Sequence, residues 1–181
     1  LKKVAARTSK SAKYAELLER ICDAFKPEIA LEIGTSLGMS TMYQASAIPH
    51  GYMFTLEGNP DSAKIAKHNF EKLGFNHIQL VEGDFEKTIP MVLEQLPRVD
   101  YVFFDGNHSF DATLRYFEWC KAKAHNHTVF VFDDIRWSHE MEMAWNKITE
   151  DPRVTVTIDI YAMGIVFFRQ EQVKENFVIR Y

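Results

Sequence analysis

The stretch LEIGTSLGMSTMYQ, residues 31–44, decides the fold, because an apolar run leads into a two-glycine turn and then into a helical pattern. Strand, glycine turn and helix in this order form the nucleotide-binding unit of doubly wound α/β sheets. Most such turns hold phosphate groups, yet Glu32 stands two residues before the first glycine, Gly34. Since a carboxylate repels phosphate, we expect this loop to bind a ligand of a different charge.

Apolar, β-rich runs alternate with amphipathic patterns along the rest of the chain. The runs are 29–33, 52–57, 77–82, 100–105 and 128–133, and the helical patterns lie near 10–25, 37–48, 61–73, 86–96, 109–124 and 138–150. Continuous apolar runs are typical of parallel strands that are buried on both faces. Two last runs, 153–160 and 164–170, are separated by only three residues, which predicts a hairpin.

The sequence therefore predicts a single α/β domain over residues 1–181, with its N-terminal helix packed on the core. The sheet is expected to be doubly wound, mostly parallel and seven-stranded, with a C-terminal antiparallel β-hairpin. The chain starts at Leu1 without a methionine, so we expect an upstream segment to be missing.

The composition is that of an ordinary folded protein. Of 181 residues, 46% are hydrophobic and 25% are charged, which excludes a disordered chain. The net charge of −4 argues against a nucleic-acid partner, and no apolar run approaches the roughly 20 residues that span a membrane. Cys22 and Cys120 have no metal or redox spacing and favour the reducing cytoplasm. The sequence leaves a homo-oligomer open.

Carboxylates follow all five predicted parallel strands, at the edge of the sheet where ligands bind in this fold. They are Glu32, Glu57, Glu82, Asp84, Asp105, Asp133 and Asp134. Single strand ends are often polar because they meet solvent, but acids after every strand indicate a binding edge of negative charge. We expect its ligand to carry positive charge and no phosphate.

S-adenosylmethionine has these properties, since it combines a sulfonium, an ammonium and an adenosine. Glu57, 23 residues after Gly34, stands where an acidic residue binds ribose hydroxyls in doubly wound folds. Gly34 and Gly38 allow the backbone to approach the ligand closely. The glycine spacing differs from the G-x-G-x-x-G pattern of dinucleotide sites, which argues against an NAD-dependent oxidoreductase.

Four motifs resemble those of class I S-adenosylmethionine-dependent methyltransferases: LEIGTSLGMST (31–41), TLEGNPDSAKIA (55–66), VEGDF (81–85) and YVFFDGNHSF (101–110). The resemblance covers about residues 28–169 and implies a Rossmann-like sheet that ends in a hairpin. Asp105, followed 28 residues later by Asp133 and Asp134, is similar to the metal-dependent O-methyltransferases of the catechol, caffeoyl-CoA and macrocin types, closest to the macrocin-like branch. It implies methylation of a hydroxyl group on a small-molecule acceptor.

The resemblance also implies how the cofactor is held. Glu32 would lie near the methionine ammonium, directly or through water, and Glu57 would hold the ribose with Asn59 beside it. The loop around the methionine portion would comprise Gly34, Thr35, Ser36 and Gly38. In the third motif Asp84 and Phe85, preceded by Gly83, would flank the adenine.

A divalent cation, for which we expect Mg²⁺, would be ligated by Asp105, Asp133 and Asp134, because it prefers hard oxygen ligands. Asp105 also counts among the cofactor-binding and catalytic residues. In the macrocin-like branch the residue two positions after the first metal aspartate is often a second aspartate, the proposed general base. Here that position in the catalytic set is Asn107, which takes up no proton at neutral pH. The next residue, His108, either acts as the base or caps the helix that follows, and the sequence leaves both open.

Two other interpretations of the site remain: a methyltransferase that needs no metal, and a cofactor-binding module that transfers no methyl group by itself. Trp137, on the loop after Asp134, is an aromatic residue that we expect to line the acceptor pocket. The neighbouring stripe of Met141, Met143 and Trp145 is predicted to be core, and His125 and His127 are predicted to be solvated in a loop.

Overall fold

The structure, a computed structural model, describes residues 12–181, in which helices and strands alternate up to three successive strands at the end. These residues form two units, one ending at Thr88 and the other beginning at Ile89. The elements are α1 (Ala12–Phe25), β1 (Ile29–Ile33), α2 (Met39–Ala47), β2 (Tyr52–Glu57), α3 (Pro60–Leu73), β3 (Ile78–Glu82), α4 (Phe85–Gln95), β4 (Val99–Phe104), α5 (Phe110–Lys121), β5 (Ala124–Asp133), α6 (His139–Glu150), β6 (Val156–Asp159), β7 (Met163–Phe167) and β8 (Glu175–Val178). The start of the helix predicted at 10–25 lies outside the described residues.

The first unit contains three parallel strands in the order β3-β2-β1. All residues of β1 after Ile29 are buried, as expected for a strand that is covered on both faces. Helix α3 begins where the sequence provides a cap: the Asn59 carboxamide oxygen accepts hydrogen bonds from the backbone N–H groups of Asp61 and Ser62, at 2.9 and 3.1 Å. It ends at Gly74, which has the left-handed φ of 77° common after helices.

The second unit contains five strands in the order β4-β5-β7-β6-β8. Strands β4 and β5 are parallel, while β5–β7 and β7–β6 are antiparallel, so the predicted C-terminal hairpin is confirmed. All seven predicted strands are present. The structure adds an eighth, β8, which pairs in parallel with β6 and which the alternating pattern did not predict.

Strand β5 begins four residues earlier than predicted, and this corrects the expectation for His125 and His127. Both residues lie in the strand, not in a loop. The His125 Nε2 atom lies 2.7 Å from Asp100 Oδ1, and Val99 pairs with Ala124. The hydrogen bond between the His125 and Asp100 side chains stabilises this polar start of β5 against β4.

The core of the second unit is strongly aromatic. The rings of Phe104 and Phe132 stack with centroids 4.2 Å apart and an angle of 7° between their planes. Phe130 packs edge to face against Phe168 at 4.9 Å. Within residues 12–181 no helix is both long and apolar enough to cross a membrane.

Candidate functional site

The glycine loop, Gly34–Gly38, is held in place by the end of strand β2. The backbone N–H groups of Gly34 and Thr35 both donate to the Leu56 carbonyl oxygen at 3.0 Å. Gly34 has a φ of 105°, which a residue with a Cβ rarely adopts, and Ser36 is left-handed at 50°. Glycine at position 34 therefore lets the chain turn sharply out of β1 at the sheet edge.

The Glu57 carboxylate binds the glycine loop directly. Its Oε2 accepts a hydrogen bond from the Ser36 N–H at 2.6 Å, and its Oε1 accepts one from the Asn59 N–H at 2.8 Å. Each carboxylate oxygen has a second lone pair for a further donor. The half-buried carboxylate can thus accept bonds from two neighbouring hydroxyl groups, such as those of a ribose.

Glu32, at the end of β1, is completely buried and surrounded by hydrogen-bond donors of its own chain. Ser40 Oγ and Gln44 Nε2 donate to Oε1 at 2.8 Å each. Thr55 Oγ1 donates to Oε2 at 2.7 Å, and Thr41 Oγ1 donates to the same oxygen. The carboxylate therefore joins β1, β2 and the first turns of α2 at the base of the glycine loop.

The Glu32 network reaches the glycine loop through two threonines. Thr35 Oγ1 and Thr55 Oγ1 are 2.6 Å apart, and since Thr55 donates to Glu32, Thr35 is the donor to Thr55. Burial raises the pKa of the Glu32 carboxyl, and the hydrogen bonds from Thr41, Thr55, Ser40 and Gln44 oppose this increase.

The partners of Glu32 are the site residues that sequence reasoning missed. Ser40, Thr41 and Gln44 lie at positions i, i+1 and i+4 of α2, so their side chains share one face of this helix. All three are buried, although they are polar. The sequence signal that could have predicted these partners is a set of polar residues at helical spacing just after a glutamate at a strand end.

Packing against Phe70 also explains why position 38 is a glycine. Its φ is 80°, and a Cβ added there would overlap the ring of Phe70 on α3. Phe70 belongs to a cluster with Met42 and Ala66. The missing side chain at position 38 thus lets α2 start against α3, in addition to any role toward a ligand.

Replacing Gly38 by alanine is expected to destabilise the protein by about 2–3 kcal/mol, from the left-handed backbone and the overlap with Phe70. The matched control is Gly74→Ala, because Gly74 has a similar φ of 77° but has no atom near its added Cβ within 4 Å. Urea denaturation of both variants separates the two effects. Equal losses in the two variants would show that the Phe70 contact contributes nothing.

The VEGDF segment forms the turn between β3 and α4. The Gly83 N–H donates to the Glu57 carbonyl oxygen at 2.9 Å, and Gly83 has a φ of 143°. Asp84 Oδ1 accepts a bond from the Glu86 N–H at 3.0 Å, so Asp84 stabilises the start of α4, where Phe85 is half-buried. Gly83 is thereby anchored to the same strand end that carries Glu57.

In the second unit the structure brings His108 between two of the predicted metal ligands. His108 Nε2 lies 3.6 Å from Asp105 Oδ1 and 4.0 Å from Asp134 Oδ2. Helix α5 starts after Ser109, and the His108 side chain lies close to the Asp105 and Asp134 carboxylates. Asp133, the last residue of β5, is buried beside Asp134 in the chain.

Asn107 forms the turn before helix α5. Its φ is 51°, a left-handed value that asparagine tolerates better than most residues. Its Nδ2 lies 3.4 Å from Tyr116 Oη, and its carbonyl oxygen accepts a bond from the Ser109 N–H at 2.6 Å. These contacts make Asn107 a turn residue that directs His108 toward Asp105.

Among residues 12–181 there is no group of three or more His, Cys, Asp and Glu side chains arranged to hold a metal ion. One carboxylate oxygen of Asp105 and one of Asp134 lie within 4.0 Å of the His108 Nε2 atom, so the His108 imidazole is near both carboxylates. Carboxylate oxygens are hard ligands of the type that divalent cations prefer.

The fold is that of the class I methyltransferases. An O-methyltransferase from Bacillus cereus in complex with SAH (S-adenosylhomocysteine) superposes with a TM-score of 0.75 over 88% of this chain and 82% of that one, at 22% identity. The predicted Rossmann-like fold is thereby confirmed.

The family model described as "Methyltransferase domain" matches residues 31–135, and the chain belongs to this family. A catechol O-methyltransferase from Mycobacterium tuberculosis is 31% identical over 71% of this chain and 58% of its own length. One from Niastella koreensis is 29% identical over 68% of this chain and 55% of its own length. The chain thus spans a little over half the length of these two relatives.

Proposed function

We propose that residues 1–181 act as a single methyltransferase domain that transfers a methyl group from S-adenosylmethionine to a hydroxyl group of a small aromatic molecule. The observation that carries this proposal is the Glu57 carboxylate, which closes the glycine loop and keeps a free lone pair on each oxygen. It can bind two ribose hydroxyls, as acidic residues at this position do in doubly wound folds.

Aromatic side chains near the end of β5 support the proposal of an aromatic acceptor. Trp137 and Tyr161 are each 73% exposed, and Met163, two residues after Tyr161, pairs with Asp133. Tyr161 has a φ of 74°, a strained value for a bulky residue and one that occurs at functional sites.

Met141 and Trp145 of the predicted core stripe are buried, whereas Met143 is exposed.

The strained turn at Tyr161 is held by Asp159. This carboxylate accepts a bond from the Tyr161 N–H at 2.7 Å and one from Arg136 Nη2 at 2.6 Å. The Arg136 guanidinium lies 5.8 Å from the centre of the Tyr161 ring. Two exposed aromatic rings suit a flat aromatic acceptor, and the relatives named catechol O-methyltransferases agree with this chemistry.

The chain's own residues supply the proton transfer. We assign His108 as the general base, since its Nε2 atom can accept the hydroxyl proton once the imidazole turns away from Asp105 and Asp134. Asp105 and Asp134, with Asp133 beside them, would hold a divalent cation. Such a cation, when bound, supplies a Lewis acid that lowers the pKa of the acceptor hydroxyl.

Replacing Glu57 by alanine is expected to weaken S-adenosylhomocysteine binding by about 10- to 150-fold, because charge-assisted bonds to two hydroxyls are lost. Isothermal titration calorimetry measures the affinity. Glu71→Ala removes an exposed carboxylate of α3 and serves as the control, with unchanged affinity. The ribose assignment is wrong if Glu57→Ala and Glu71→Ala bind equally well.

The acceptor proposal is tested with a panel of catechols, phenols and aliphatic alcohols, with methyl transfer followed by mass spectrometry. Methylated catechols or phenols are expected, with turnover reduced in a Trp137→Ala variant. A protein that binds S-adenosylhomocysteine but methylates no member of the panel would favour a cofactor-binding module instead.

A further inference from the structure

Strand β8 forms an open edge of the second unit. It pairs with β6, and within the described part of the chain no strand lies on its other side. The N–H groups of Glu175 and Ile179 donate to the carbonyl oxygens of Thr155 and Asp159, both at 2.8 Å. Since alternate residues of a strand direct their backbone groups to opposite sides, those of Asn176 and Val178 face outward.

The same strand exposes apolar side chains. Val178 is 81% exposed, and the other exposed apolar residues of this segment are Val173, Phe177, Ile179 and Tyr181. Natural sheet edges are usually protected by charged side chains, lysine above all. Here the Lys174 ammonium donates to the Asp151 carbonyl oxygen at 2.8 Å, so its charge is drawn toward its own unit. The edge is therefore suited to pair with another strand.

We propose that β8 pairs with β8 of a second copy of this chain, antiparallel and around a two-fold axis at Val178. A two-fold interface must be complementary to itself, because each residue meets its counterpart or exchanges partners with another residue. In this register Val178 faces Val178 of the second copy, and Phe177 faces Ile179.

The polar residues of the strand exclude the neighbouring axis at Phe177, and an axis at Asn176 would place charged Lys174 opposite apolar Val178 and charged Glu175 opposite apolar Phe177. Outward-facing residues must pair with outward-facing residues, which restricts the two-fold axis to a few positions. An axis at Phe177 would place Lys174 opposite Arg180, two like charges. With the axis at Val178, Arg180 faces the Asn176 carboxamide and Glu175 faces Tyr181, so no like charges oppose each other.

Sedimentation velocity over a range of concentrations tests the proposal. We expect the parent chain to form a dimer and Val178→Lys to be monomeric at the same concentrations, because two ammonium groups would meet at the axis. Leu73→Lys, which changes an exposed leucine at the end of α3, is the control and should remain dimeric. A parent chain that stays monomeric overturns the proposal, since β8 would then be open to pairing with a different protein and not with a second copy.

A cysteine at position 178 tests the register itself. Facing residues of a hydrogen-bonded antiparallel pair have Cα atoms about 5.5 Å apart, within the range of a disulfide. Mild oxidation should therefore link Val178→Cys into a covalent dimer. Lys174→Cys is the control, because its counterpart would lie about 26 Å away at the rise of an extended strand. The native Cys22 and Cys120 are buried. A dimer in which Val178→Cys forms no link, or Val178→Lys changes nothing, overturns the assignment.

Discussion

Replacing Glu32 by leucine is expected to lower the free energy of unfolding by about 3–5 kcal/mol, because a buried network loses its only carboxylate. Four side-chain donors would lose their acceptor, those of Ser40, Thr41, Gln44 and Thr55. Since small domains are stable by only about 5–15 kcal/mol, this loss is a large fraction of the total. Urea denaturation followed by circular dichroism measures it.

Two variants serve as controls for Glu32→Leu. Glu82→Leu makes the same change at the end of β3, where the side chain is exposed, and should alter stability little. Glu32→Gln keeps the shape and one acceptor oxygen, and the three hydroxyls can turn to meet its amide, so its loss should be smaller. Similar losses in Glu32→Leu and Glu82→Leu would contradict the role of the network.

The pH dependence of Glu32→Gln gives a second check. Burial raises the pKa of Glu32 above its ordinary value of 4.5 in the folded state. The stabilisation that comes from this group is therefore complete below pH 4.5 and is lost as the pH rises through the folded pKa. Glutamine does not ionise, so the stability of the parent relative to Glu32→Gln should fall with rising pH over this interval.

Removing divalent cations is expected to reduce methyl transfer at least about a hundredfold, because a Lewis acid at the acceptor contributes several kcal/mol. Asp134→Ala should have a similar effect and should also weaken Mn²⁺ binding, which electron paramagnetic resonance measures without any turnover. Asp111→Ala, which removes an exposed carboxylate in the first turn of α5, is the control. Full activity in a chelator would establish the metal-independent alternative.

A variant of His108 distinguishes a general base from a metal ligand. In the structure its Nε2 lies within 4.0 Å of both Asp105 and Asp134, the two carboxylates that would hold a cation. A His108→Ala variant should therefore retain Mn²⁺ binding while it loses activity, because the base is gone and the carboxylates remain. If Mn²⁺ binding were lost together with activity, His108 would be a ligand and its assignment as base would be wrong.

The strands and helices were predictable because their signals are local. The bounds of β1 and β2 match the predicted runs 29–33 and 52–57, and α3 has the cap and the terminal glycine that the sequence indicated. Strand β8 was not predictable in the same way, since its four residues are all exposed and therefore show no buried periodicity. It forms because its backbone pairs with that of β6.

The sequence by itself determined the order of the elements and the carboxylates that end the strands, because both depend on neighbours along the chain. Only the tertiary structure decided what these carboxylates meet. Glu32, predicted to lie near a ligand's ammonium, is enclosed by hydroxyl and amide donors from β2 and α2, and Gly38 is adjacent to Phe70. Residues far apart in sequence meet only after packing fixes the positions of their elements, and no local pattern encodes those distances.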